Sequence, residues 1–176
     1  REISREFELD AARTIVRATL TVERNGSHDA PLRLDAEALT LRRVAVDGAL
    51  ADHAYEGNIL TIPLGGDRAT VETEVEIAPA ENTQLMGLYE SGGILCTQCE
   101  AEGFRRITPF PDRPDVLSRY RVKMIADKTR YPVLLANGDP VSSAELDGAR
   151  HCAEWHDPFP KPCYLFAMVA GGLVAN

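Results

Sequence analysis

Apolar and polar residues alternate with a period of two along much of the chain. Val16, Ala18, Leu20 and Val22 point one way while Arg17, Thr19, Thr21 and Glu23 point the other, as in a half-buried strand. Leu32, Leu34 and Ala36 repeat the pattern against Arg33, Asp35 and Glu37. It is cleanest where Val71, Thr73, Val75 and Ile77 oppose Glu72, Glu74 and Glu76, a glutamate row that has to face water. Tyr120, Val122 and Met124 alternate with Arg121 and Lys123, and residues 164–170 are apolar without a break, as expected of a strand covered on both faces. Asn25-Gly26, Asp47-Gly48, Asn137-Gly138 and Asp147-Gly148 supply the positive-φ residues that tight hairpins need. One short helix is expected over residues 112–120, with Asp112 as cap and Pro114 in the first turn. The segment Pro158-Phe159-Pro160-Lys161-Pro162 reads as a stiff connector that breaks pairing before the last strand. Together these elements predict an all-β chain: an antiparallel β-sandwich or saddle with at most one or two short helices.

A length of 176 residues with 44% hydrophobic content closes one sizeable core, so residues 1–176 are expected to form a single domain. The net charge of -8, from 27 acids against 19 bases, argues against nucleic acid or an anionic membrane as partner, since both select for lysine and arginine clusters. No run approaches the roughly 18 to 20 apolar residues of a membrane span, and the start lacks an apolar signal-like stretch. The chain is therefore expected to be soluble. It begins without Met and stops straight after an apolar strand-like run, which suggests a piece of something longer. Four cysteines, at 96, 99, 152 and 163, could form two disulfides, but a core of this size does not call for staples. Reduced thiols in a cytoplasmic setting are the expectation.

Three constellations invite chemical readings. Cys96-Thr97-Gln98-Cys99 has the spacing that lets two sulfurs converge on zinc or cycle a disulfide. A zinc ribbon wants a second such pair, whereas Cys152 and Cys163 are separated by ten residues. Ordinary thiols and no metal are expected. His151 and His156 are five apart rather than the four of H-E-x-x-H, and on a strand they fall on opposite faces. Glu100 and Glu102 could suggest glycosidic acid/base work, but sequence cannot set the carboxyl separation that such chemistry requires.

The stretch from Gly87 to Arg106, continued by Asp112-Arg113-Pro114-Asp115 and answered by residues 157–167, resembles the amino-terminal domain of zinc aminopeptidases of the aminopeptidase N type. Within it, Thr97-Gln98-Cys99-Glu100 followed by Glu102-Gly103-Phe104-Arg105 is most similar to the soluble bacterial enzymes. Thr108-Pro109-Phe110-Pro111 departs from the pattern by two prolines, downstream of Gln98 and Glu100. The resemblance implies that Glu100 holds the free α-amino group of a peptide substrate and that Gln98 lines the same pocket. An α-ammonium offers three N–H donors and a positive charge, which a carboxylate answers with charge-assisted hydrogen bonds. Two positions apart on a strand, the two side chains would share a face.

The family's zinc helix, H-E-x-x-H with a further glutamate, and its G-x-M-E-N strand are not found in these residues. By the resemblance they belong to a thermolysin-like catalytic domain that follows directly and binds the Zn2+. The implied partners are peptides with a free N-terminus and, within one polypeptide, that catalytic domain. The domain by itself would be inert. The alternative is a free-standing β-sandwich module that binds peptide or glycan, which alternating strands and hairpin turns fit equally well.

Overall fold

The computed structural model describes residues 2–174. The described residues form fifteen strands, numbered in chain order, and three single-turn 3-10 helices, joined by turns and loops. The largest sheet has eight strands in the order β13 (Asp139–Glu145), β14 (Arg150–Lys161), β11 (Ser118–Asp127), β1 (Glu2–Leu9), β2 (Thr14–Glu23), β8 (Arg68–Ile77), β4 (Thr40–Val46) and β5 (Ala49–Leu50). A four-stranded sheet runs β12 (Val133–Ala136), β15 (Met168–Gly171), β10 (Ile94–Gln98), β9 (Gly87–Ser91). A three-stranded one runs β3 (Leu32–Asp35), β7 (Ile59–Ile62), β6 (Ala54–Glu56). All-β architecture is as expected, and pairing is antiparallel except between β1 and β11, which run parallel.

The period-two faces do what the sequence requires of them. Phe7, Val16, Leu20, Val71, Val75 and Met124 of the large sheet share one core with Leu34 and Leu60 of the three-stranded sheet and Leu95 and Met168 of the four-stranded sheet. The two small sheets therefore cover the inner face of the large one. On the outer face the glutamate row is not simply solvated. Arg43 reaches Glu72, Arg17 reaches Glu74, and Arg13 and Arg42 both reach Glu76. Each such exposed pair contributes only about 0 to 1 kcal/mol, so the ladder fixes register more than it adds stability.

Several local expectations change. No helix forms over residues 112–120: the chain makes a turn closed by Val116 N–H to the Arg113 carbonyl, and then enters β11 at Ser118. The run at 164–170 is not one continuous strand. A 3-10 turn, Cys163–Leu165, precedes β15, because Cys163 and Phe166 are drawn into the core while Leu165 is left outside. The proline-rich connector stays extended inside β14, and pairing with β11 shifts register there instead of ending. Asp47-Gly48 and Asp147-Gly148 join paired strands, β4 to β5 and β13 to β14. Asn25-Gly26 and Asn137-Gly138 instead carry the chain from one sheet to another. Gly57-Asn58 and Gly92-Gly93, both at positive φ, make two of the hairpins that an Asn-Gly or Asp-Gly search overlooks.

Two buried polar groups bind the layers together. Arg5, 2% exposed, enters the core from β1 and lays its guanidinium 4.0 Å from the centre of the Phe104 ring, with Tyr120 and Phe166 each at 5.3 Å. None of its three nitrogens has a hydrogen-bond partner among the described residues. Burial pushes Arg5 down to about 9, so it is charged at neutral pH with aromatic faces in place of acceptors. The other is Asp112, whose carboxylate accepts from the Arg105 backbone N–H at 3.1 Å, Arg105 Nε at 2.9 Å and the Cys163 thiol at 2.9 Å. Its own N–H donates to Asp35 of β3 at 3.0 Å.

These two groups have opposite expected responses. Desolvating an ion costs several kcal/mol, of which the close cation–π contact with Phe104 returns about 2. Arg5→Met, close in volume and uncharged, should therefore raise stability by about 1 kcal/mol in urea titrations, where a loss would refute this balance. Asp112→Ala should lower it by about 3 kcal/mol, because Arg105 and Cys163 lose their acceptor together; a melting temperature within 2 °C of the parent, against a shift of roughly 6 to 12 °C, would contradict it.

Candidate functional site

Gln98 and Glu100 sit where β10 runs out. Gln98 is the last residue of the strand and lies directly opposite Gly87 of β9. Glu100 is beyond the strand, in the turn that follows, so strand geometry is not what aligns the pair. The alternation nevertheless persists for two residues: Cys99 is buried at 1% exposure, and Gln98 and Glu100 on either side of it are exposed. Neither exposed side chain has a hydrogen-bond or ion-pair partner among the described residues. Their polar atoms are free to meet a ligand.

The turn is held from several sides. Upstream, Thr97 Oγ1 accepts from Met168 N at 2.9 Å, tying β10 to β15. The Cys99 carbonyl accepts from Gly103 N at 2.9 Å, which closes the turn around Glu100 and Ala101, joined by a cis peptide. A single-turn 3-10 helix, Phe104–Arg106, follows at once. Its Phe104 lies under Arg5, Arg105 is fixed by Asp112, and Arg106 Nη2 donates to Glu37 at 2.6 Å. Gly103 is the tightest point: a Cβ there would lie 2.4 Å from the Gln98 carbonyl oxygen and 2.9 Å from the Gly87 nitrogen. Only glycine lets the returning chain pass so close to the strand end that carries Gln98.

The thiols lie beneath this surface. Desolvation raises Cys99 to about 12 and pushes Cys163 up as well, with the Asp112 hydrogen bond adding to the second shift. Thiols held protonated in this way are poor nucleophiles and poor ligands. Cys96 and Cys99 fall on opposite sides of the extended backbone, one half-buried and the other in the core, so the C-x-x-C spacing does not converge on an ion. Among the described residues no group of three or more His, Cys, Asp and Glu side chains could hold a metal. His151 and His156 do lie on one strand, β14, where His151 Nε2 donates to the Tyr131 carbonyl at 2.8 Å. Glu102 is engaged by Arg105 at 3.3 Å, which separates its role from that of Glu100.

The sequence reading assigned nothing to Arg5, and it cast Asp112 as a helix cap. Both turn out to frame the candidate site from below. No local pattern could have shown this, because Phe104 lies 99 positions from Arg5, and Asp35 and Cys163 lie 77 and 51 positions from Asp112.

Comparisons with known proteins bear on the family and the fold. The family model for the Peptidase M1 N-terminal domain matches residues 6–165. Aminopeptidase N of Caulobacter vibrioides is 56% identical over 170 residues, covering 95% of this chain and 20% of that protein. The crystal structure of Legionella pneumophila aminopeptidase A in complex with aspartic acid superposes with a TM-score of 0.92 at 35% identity, over 98% of this chain and 21% of that one. An M1 zinc metallopeptidase from Deinococcus radiodurans, bound to a Tyr-Ser-Ala substrate, shares the fold at a TM-score of 0.83 and 16% identity, over 97% of this chain and 41% of that one. The chain spans about one fifth of the length of the curated aminopeptidase N relatives it matches. With the family model covering most of its residues, the chain belongs to the Peptidase M1 N-terminal domain family.

Proposed function

We propose that residues 1–176 are the amino-terminal domain of a zinc aminopeptidase, and that they supply the anchor for the α-amino group of the peptide being trimmed. The observation that carries this reading is the exposed, unpartnered Glu100 beside Gln98 on a turn held by Gly103, Phe104 and Asp112. A carboxylate without an internal partner is available to an ammonium, and a rigid turn lets it serve as a fixed reference point. Gln98 would line the same pocket and offer its amide to the substrate backbone. Among the described residues none forms a zinc site, so on this reading the metal and the general base would belong to a catalytic domain elsewhere in the polypeptide. Support for zinc comes from the family resemblance and from the Deinococcus relative, which is described as a zinc metallopeptidase.

On this reading the domain contributes positioning. By holding the amino end, Glu100 would allow only the first peptide bond to reach the metal-bound water, which makes the enzyme an exopeptidase. The isolated domain would hydrolyse nothing. Four free cysteines fit a reducing, cytoplasmic setting.

In the complete enzyme, Glu100→Ala should lower kcat/KM for substrates with a free amine. Loss of one partner of a desolvated charge pair costs about 2 to 5 kcal/mol, or roughly 30- to several-thousand-fold. A loss below threefold would remove Glu100 as the anchor. Gly103→Ala should act on the same step without touching a substrate-binding side chain. The added methyl has to push Gln98 and its turn outward, and a displacement of about 1 Å costs on the order of a hundredfold. Unchanged kinetics with normal zinc content would contradict that role for the turn.

A further inference from the structure

Beside the candidate anchor, the chain holds an apolar side chain in the open by force of backbone geometry. Leu85 has φ +54, in the left-handed region that a non-glycine residue enters at a cost, and it is 55% exposed. Asn82 imposes this shape. Its Nδ2 donates to the Met86 carbonyl at 2.8 Å and to the Leu88 carbonyl at 2.9 Å, while its Oδ1 accepts from the Gln84 N–H at 3.2 Å. The loop is thus clamped from within by one side chain. Residues 85 and 86 lead directly into Gly87, which pairs with Gln98 across β9 and β10. Gly103 packs against both Gly87 and Gln98, so this loop and the Glu100 turn leave the sheet side by side.

An outward-facing leucine with a partly buried methionine next to it makes an apolar rim two and one residues ahead of the Gly87 that pairs with Gln98. We infer that Leu85, supported by Met86, contacts the side chain of the substrate's first residue and biases the enzyme toward large apolar N-terminal residues. This rests on the reading of Glu100 as the α-amino anchor, because the first side chain departs from the same carbon as the amine and has to lie within a few ångströms of it. The polar atoms would then fix where the amino end sits, and the rim would weigh what that end carries. Binding apolar groups against a preformed rim avoids the entropy of ordering a loop, which the Asn82 clamp has already ordered.

The test uses the complete zinc aminopeptidase that contains this chain and three fluorogenic amides, with alanine, leucine or phenylalanine as the acyl group. Leu85→Asn keeps a residue that tolerates left-handed backbone but removes the apolar surface. It should lower kcat/KM for the leucyl and phenylalanyl substrates about tenfold relative to the alanyl one, the scale of discrimination an apolar contact provides. Leu85→Met should preserve the parent's ratios. A uniform fall across the three substrates in Leu85→Asn, or no change in any, overturns the inference. Glu100→Ala, run in parallel, separates the two readings: it should depress all three substrates alike and leave their ratios unaltered. If Glu100→Ala has no effect the anchor reading fails on its own, and if only the Leu85→Asn ratios stay flat the rim fails while the anchor stands.

Discussion

Asp112 is the constraint on which the candidate site depends. Its carboxylate is nearly inaccessible, yet it accepts from Arg105 twice and from Cys163 once, and its backbone donates to Asp35. Those partners belong to the segment after the Glu100 turn, the 3-10 turn before β15, and β3. One buried side chain therefore ties both small sheets to the loop between them. A buried carboxylate is tolerable only when donors compensate it, and here two come from Arg105 and the third from Cys163, 51 positions away from Asp112. The loop can occupy one position, because any shift would strand a charge in the core.

Arg5 works on the neighbouring side by different physics. It has no acceptor among the described residues, and the four rings around it offer only their faces. Such a group is held by packing, and packing in a dense aromatic cluster is directional: Phe104 meets Phe110 and Phe166 edge to face at 5.0 and 5.3 Å. Phe104 lies five residues from Cys99 and four from Glu100, so the ring that Arg5 pins also fixes where the turn returns. Below the turn, then, are a filled hydrogen-bond hub and an aromatic clamp. Above it are two exposed side chains without partners among the described residues.

How much of this could be read in the sequence follows from the range of the forces involved. The strands at Val16, Val71 and Tyr120 were legible because period-two burial is written into adjacent residues. The hairpins at Asp47-Gly48 and Asp147-Gly148 were legible because their backbone conformation demands particular residues. The helix expected at 112–120 failed for a matching reason: Asp112 and Pro114 look like helix-start chemistry locally, but the Asp112 carboxylate is claimed by donors up to 51 positions away. The parallel partnership of β1 with β11 was equally hidden, since more than a hundred residues separate the two strands. Gln98 and Glu100 were identified through the family resemblance, and the strand argument offered beside it was correct for the first only. Glu100 owes its exposure to the turn that Gly103 permits.

The division of labour between rigid and open parts bears directly on the proposed role. An anchor that selects for a chain end has to hold the amine at a fixed distance from a reaction centre supplied by another domain. Small errors in that distance are amplified exponentially in rate, so the carboxylate has to sit on something stiffer than a surface loop ordinarily is. Strand β10, the Gly103 crossing and the Asp112 hub provide this stiffness within 19 residues of sequence. The cost is that Glu100 and Gln98 face water without internal partners, and that Leu85 is kept in a conformation leucine does not favour. A site built for stability alone would have avoided both. Their presence at the edge of a well-packed core is the physical argument that this edge is where the domain acts.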